Sequence, residues 1–421
     1  MTYFEELRVN WRPLLAALVG LGTGFSLSGT VASAIAPSLI SDNEWSEAEF
    51  AAVGGVAIFT AAALPLVGRV ADVLGVKRTA LIGLVAMPLI YLAYSMMGGS
   101  LSAYVVIFIL QSVVCVTTTS TVFTRLPVQY ITHARGLALA IVASGPALTS
   151  AALGPVLNTY VEENGWRAAY QALAVFAAVS GLITYLLIPP ERREPEAKPL
   201  PRRSARQDYP EILRSRAFWI LAASMVLCNL PQVIMLTQLK LLLLDNGMSG
   251  ADAGVAFTAL ALGMLTGRFL TGIALDRFDP YVVSFVTLAL PSIGLYLLAS
   301  SLDAAPILIF AVFCLGFAFG AEGDVVAYLV ARSFGVRIYS SVLGLMTAVM
   351  SFSAASGAGL LSYTLSRTGD FALFLTIVGT AVIIGSSLLL LLRRGAREPD
   401  EAARRAEEAV PHPALPGTAE G

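Results

Sequence analysis

Gly68-Arg69-Val70-Ala71-Asp72-Val73-Leu74-Gly75-Val76-Lys77-Arg78 is a short charged stretch set between two uncharged runs, 51–67 and 79–97. Each flanking run approaches the twenty or so apolar residues that cross a bilayer as a helix, so the stretch reads as a hairpin at the membrane boundary. Gly75 permits the tight turn, and Gly68 lets a neighbouring backbone come close. Asp72 is suited to pair with a base or to cap a helix N-terminus. Part of the stretch returns as Gly272-Ile273-Ala274-Leu275-Asp276-Arg277, with the glycine and the aspartate each displaced by 204 positions (68 to 272, 72 to 276). In a chain of 421 residues that repeat implies two parallel halves.

Composition agrees with a chain that lives in lipid: 57% of residues are hydrophobic and 13% charged, against roughly 25% charged in soluble domains. Uncharged runs predict twelve helical spans, near 14–40, 51–67, 79–97, 102–124, 136–159, 168–188, 217–243, 253–275, 281–301, 304–330, 340–364 and 371–392. The fold expected is all-α, with two six-helix bundles over 1–188 and 217–392. Between them, 189–216 is rich in Pro, Arg and Glu and reads as an extended, solvated cytoplasmic linker. The charged tail 393–421 reads as disordered.

Basic residues orient the chain. With both termini cytoplasmic, 23 of the 27 Lys and Arg fall on inside segments, while the first outer loop carries Asp42, Glu44, Glu47 and Glu49 and no base. The uncharged stretch from Pro13 to Ser41 is too long for a signal-peptide core, so it reads as a span. A net charge of -1 leaves no basic face for nucleic acid. Cys115, Cys228 and Cys314 all lie in apolar runs, and the two histidines, His133 and His412, form no cluster. No disulfide framework, metal site or cofactor is expected, and an enzyme or a non-transporting sensor is disfavoured.

The stretch from Gly68 to Arg78 resembles the conserved loop of the major facilitator superfamily, G-x-x-x-D-x-x-G-x-K/R-R. The resemblance extends to Arg135-Gly136-Leu137-Ala138 and to the Gly145-Pro146 and Gly154-Pro155 pairs, which loosely match the superfamily's fifth-helix motif, often linked to exporters. It implies a transporter working by alternating access. It also implies a gating role for Gly68, Asp72, Gly75 and Arg78 and for their echo Gly272 and Asp276, with Arg125 and Arg135 as candidate partners of Asp72.

Arg268 lies inside the eighth span, eight residues before Asp276, or about 12 Å from the boundary at 1.5 Å per residue. An arginine there costs about 2.5–3.5 kcal/mol on insertion scales and is kept for a partner or a ligand. Either it forms a permanent ion pair, or its planar fork holds a substrate carboxylate. Arg268 with Gly272 at +4, and Trp45-Ser46 after the first span, resembles the monocarboxylate transporter and oxalate/formate antiporter branch. That resemblance assigns carboxylate binding to Arg268. It does not carry over the branch's other charged positions: Met264 stands where animal members have an acid, and the first and eleventh spans contain no lysine.

A proton site is then expected at Glu322 or Asp324. Glu322 is about 24 Å in from the outer face and Arg268 about 22 Å, so the two could meet. Two residues apart on a helix, the acids point to nearly opposite sides, and at most one shares a cavity with Arg268. The alternative is that one pairs permanently with Arg268 and the other with a loop base such as Arg332 or Arg337. Thr23, Ser26 and Thr30 on the first span, Gln111 on the fourth, and Asn229 and Gln232 beside the helix-breaking Pro231 are candidates to complete a substrate pocket. Packing between helices is the other use of such residues. The resulting expectation is a monomeric inner-membrane carrier of a small organic anion, a monocarboxylate moved with a proton. An exporter of amphipathic drugs is the alternative.

Overall fold

The structure, a computed structural model, describes residues 3–46, 50, 53, 57–189, 205–300, 302 and 304–393. The first half comprises α1 (Tyr3–Val9), α2 (Trp11–Thr23), α3 (Ser28–Asn43), α4 (Ala57–Leu74), α5 (Val76–Met96), α6 (Leu101–Val114), α7 (Arg125–Tyr130), α8 (Arg135–Ala143) and α9 (Gly145–Leu187). The second comprises α10 (Ala205–Arg214), α11 (Arg216–Asn229), α12 (Leu239–Asp245), α13 (Gly250–Arg277), α14 (Pro280–Ala299), α15 (Ala305–Phe334), α16 (Tyr339–Thr368) and α17 (Ala372–Leu388). Among the described residues, nine helical stretches are long and apolar enough to cross a membrane. One of these, Arg135–Leu187, is broken at Gly165 (φ 79°) into two spans, and α4 and the α11–α12 pair complete twelve.

Local chemistry sets several boundaries. Ser249 caps α13 by accepting the Asp252 amide, and Asp279 caps α14 with Pro280 in the first turn. Gly75, at φ 79°, makes the turn between α4 and α5. Pro231 interrupts the seventh span, which continues through a π-helical turn, Ile234–Gln238. The first span is not one helix: Phe25–Leu27 is a 3₁₀ turn, so Ser26 and Thr30 do not share one continuous helical face. The fourth span breaks similarly at Cys115–Thr118.

The halves meet along two seams, α4 against α16 and α8 against α13 and α15. Both lie at the end of the molecule that carries Arg69, Lys77, Arg135, Arg277 and Arg337, here called the basic face. A buried apolar cluster crosses the second seam, with Val128 and Leu139 packed among Leu275, Val325 and Leu329. The linker departs from the expected extended form: α10 is helical, and its Asp208 and Ile212 are buried. Residues 190–204 of the linker and 394–421 of the tail lie outside the described residues.

Candidate functional site

The centre of the second half is built by small residues. Gly263 and Gly267 of α13 face Gly316 and Gly320 of α15 so closely that a Cβ on any of them would overlap the opposite backbone. This interlock sets Arg268 directly against α15. Its Nε donates to Gly320 O at 3.0 Å and lies 3.5 Å from Asp324 Oδ2. Its Nη1 donates to Ala143 O at the end of α8, across the seam between the halves. Nη2 has no partner among the described residues. The Arg268 side chain is 21% exposed and that of Asp324 only 4%. Asp324 Oδ2 is buried with no hydrogen bond among the described residues, so its attraction to the guanidinium is Coulombic and incompletely formed.

Glu322 does not meet Arg268, despite the matching depth. It sits on the opposite side of α15, where Asn229 Nδ2 donates to Oε1. Two residues turn a helix by about 200°, so one acid faces the seam and the other the interior of its own half. A cavity of about 40 Å³ adjoins Glu322, with Asn229, Gln232 and Pro231 in its wall. Among the described residues neither acid pairs with a loop base: Arg332 lies over the Tyr281 ring at 5.8 Å, and Arg337 engages Asp208 and Glu211. The first-half candidates are not gathered round Arg268. Gln111 is buried among tyrosines, accepting from Tyr94 OH at 3.1 Å and donating to Ser28 Oγ. Thr30 shares a 2.7 Å hydrogen bond with Ser150, Thr23 donates to Val19 O, and Ser26 is exposed.

Each repeated aspartate caps a helix of the opposite half. Asp72 accepts from Ser340 N–H (3.0 Å) and Ser341 N–H (2.7 Å) at the start of α16, and it is held from behind by Arg125. Asp276 accepts from Gly136 N–H (2.6 Å) and Leu137 N–H (3.0 Å) at the start of α8. A carboxylate at a helix N-terminus satisfies orphan amides and the helix dipole together. Gly68 abuts Ser340 O, and Gly136 and Gly272 abut each other, so side chains there would push the seams apart. Of the two candidate partners for Asp72, Arg125 alone reaches it. Arg135 instead donates to Ile131 O and Val128 O. Arg78 is exposed beside a surface cavity.

The profile of the Major Facilitator Superfamily matches residues 15–321 and 228–419. The chain belongs to the Major Facilitator Superfamily. As a superfamily member it is a multi-pass membrane protein. Human monocarboxylate transporter 11 is 24% identical over 279 residues, which covers 63% of this chain and 58% of the relative. Bovine monocarboxylate transporter 13 is 24% identical over 266 residues, 63% of this chain and 61% of the relative. The chain thus spans about three fifths of the length of these relatives. Among solved structures, the human organic anion transporter MFSD10 superposes with a TM-score of 0.70 at 15% identity, over 90% of this chain and 99% of that one. The E. coli fucose:proton symporter gives 0.67 at 14%, over 90% and 98%. At such identity these likenesses show the twelve-helix fold.

Two further elements tie this superfamily member shut on its basic face, and the sequence reading missed both. In α1, Glu6 accepts from the amides of Thr132, His133 and Ala134, and Tyr3 OH donates to Asp276 at 2.8 Å. In α10, Asp208 is shared between Arg69 Nη1 (2.5 Å) of the first half and Arg337 Nη1 (2.6 Å) of the second, and Tyr209 OH donates to Pro65 O. Each half is thus preceded by a short helix strapped over a seam. The signal for α10 was present in the linker, with Asp208 in a first turn, Arg214 in a last, and Tyr209 and Ile212 three apart on one face.

Proposed function

We propose that this protein is a secondary active carrier that moves a small organic anion, a monocarboxylate, together with a proton by alternating access. It works as a monomer in the inner membrane, with its basic face and both termini cytoplasmic. Arg268 carries the reading: a guanidinium in the middle of a span, with Nη2 unengaged among the described residues and Asp324 at 3.5 Å in an unfinished pair. A substrate carboxylate and Asp324 compete for that guanidinium. Ionised, Asp324 holds it; protonated, Asp324 is neutral, and the fork turns to the substrate. Proton and anion therefore load together as a neutral pair, which lowers the cost of carrying charge through the membrane interior.

The contact from Nη1 to Ala143 O supports coupling to the gate, because a guanidinium drawn toward an anion gives up a bond that joins the halves. Asp72 and Asp276 act as latches of the closed basic face, released when the carrier opens inward. Uptake into proteoliposomes over a panel of small carboxylates, with and without an acid-outside gradient, tests the reading. At least one monocarboxylate should accumulate only with the gradient. Transport of amphipathic cations or neutral drugs with no carboxylate moved would replace it with the exporter reading.

A further inference from the structure

A cavity of about 330 Å³ opens on the basic face at the α4–α5 hairpin and is roofed by the end of α9. Lys77, Arg78, Gln129, Tyr130 and Tyr185 supply its polar wall, and no carboxylate lines it among the described residues. Lys77 Nζ is steered inward by the Tyr185 ring at 4.5 Å and the Ile188 carbonyl at 3.4 Å. Arg78 is exposed and has no partner among the described residues. Two cations with phenol and amide donors around a hollow of this size, at the level where α5 enters the membrane, match a headgroup phosphate: acceptor-only, singly charged and bulky.

Below the cations the wall turns apolar. Leu81 lines the cavity, and Leu81, Val85 and Leu89 follow one another at helical spacing on α5, all exposed. Leu182 and Leu186 run beside Tyr185 on α9 and are also exposed. This track faces the bilayer, so acyl chains laid along it run on directly from a phosphate held by the two cations. We propose that the cavity is a binding site for an anionic phospholipid, its phosphate between Lys77 and Arg78 and its acyl chains along α5 and α9. Val73 and Leu74, the residues after Asp72, line the same cavity, so an occupied site braces the hairpin that presents Asp72 to α16.

Native mass spectrometry of the purified full chain, titrated with phosphatidylglycerol or phosphatidylcholine, tests the proposal. Phosphatidylglycerol should be retained in preference, and Lys77→Gln with Arg78→Gln should cut that preference about thirtyfold, at about a factor of five for each juxtamembrane base. Equal retention of the two lipids by the wild type, or an unchanged preference in the double variant, overturns it. Displacement of phosphatidylglycerol by inorganic phosphate at equal concentration assigns the cavity to a soluble anion and overturns it too. Should the double variant fail to fold, the wild type decides alone. A phosphatidylglycerol with a photoreactive acyl chain must label residues within 81–89 or 182–186, and labelling confined to other segments refutes the site.

Discussion

Arg268 makes contacts of unequal quality, and their inequality yields distinct outcomes for substitution. Arg268→Lys keeps the charge and loses the planar fork, so carboxylate affinity should fall by about tenfold or more in a binding assay. Arg268→Ala leaves Asp324 buried without its cation and should destabilise the protein by about 3–5 kcal/mol in thermal or denaturant unfolding. Adding Asp324→Asn should restore stability without restoring binding. Folded Arg268→Ala that binds carboxylates with wild-type affinity would falsify the anion-site assignment. Asp324→Asn alone should exchange substrate across the membrane yet fail to accumulate it on a pH gradient. Glu322→Gln, bonded to Asn229 on the other side of α15, should keep the gradient response.

Glu6 gives a pH prediction of fixed sign. Burial alone would raise its carboxyl, but the hydrogen bonds from Thr132, Ala134 and His133 outweigh it and hold the group below the ordinary carboxylate range. A depressed folded pKa means that docking of α1 is fully supported above the unfolded value of about 4.3 and weakens as pH falls through the lower folded value. Amide exchange at Thr132–Ala134 should therefore be flat from neutral pH to about 5 and rise below about 4 after correction for intrinsic rates. In Glu6→Gln the protection should be low throughout; an unchanged profile in that variant would discard the argument.

At the scale of elements, the seams depend on capping and the straps depend on sharing. Asp72→Asn removes the charge that two α16 amides and Arg125 converge on. It should slow transport while leaving substrate binding intact, because the lost contacts lie at the basic face. Normal turnover in a well-folded variant would remove Asp72 from the gate. Asp208 bridges Arg69 and Arg337, which belong to opposite halves; in the proposed alternating-access cycle those halves part at the basic face, and Asp208 then keeps at most one of the two. Asp208→Asn should therefore favour opening by about 1–2 kcal/mol, a shift of about five- to thirtyfold in population. Spin labels at Val73 and Arg332 would report it as growth of a longer-distance population, and an unaltered distribution would count against a strap.

For the whole molecule, orientation is the testable property. With the native cysteines replaced, Asn164→Cys should react with an impermeant thiol reagent in intact cells, and Arg8→Cys only after permeabilisation. Both positions are exposed, so silence at either reports side and not burial. The reverse pattern would invert the topology and place the capped seams on the outer face.

The span positions, the two halves, the basic face and the boundary aspartates were legible in the sequence because each depends on distance along the chain. The bilayer sets the length of a span, and a repeat sets its own offset. Even the fork in roles between Glu322 and Asp324 was legible, since helical rotation alone separates them. Which acid faces Arg268 was not, because it depends on the azimuth at which α13 and α15 lock through Gly263, Gly267, Gly316 and Gly320. Likewise Arg125 and Arg135 are equally available on paper, and only the fold brings Arg125 to Asp72. Gln111 is polar and central in its span, yet it turns toward tyrosines of its own half. The linker helix buries Asp208 and Ile212 only against surfaces that exist once both halves have closed. Contacts made between distant segments are fixed by packing angle and partner surface, and neither is written in local sequence.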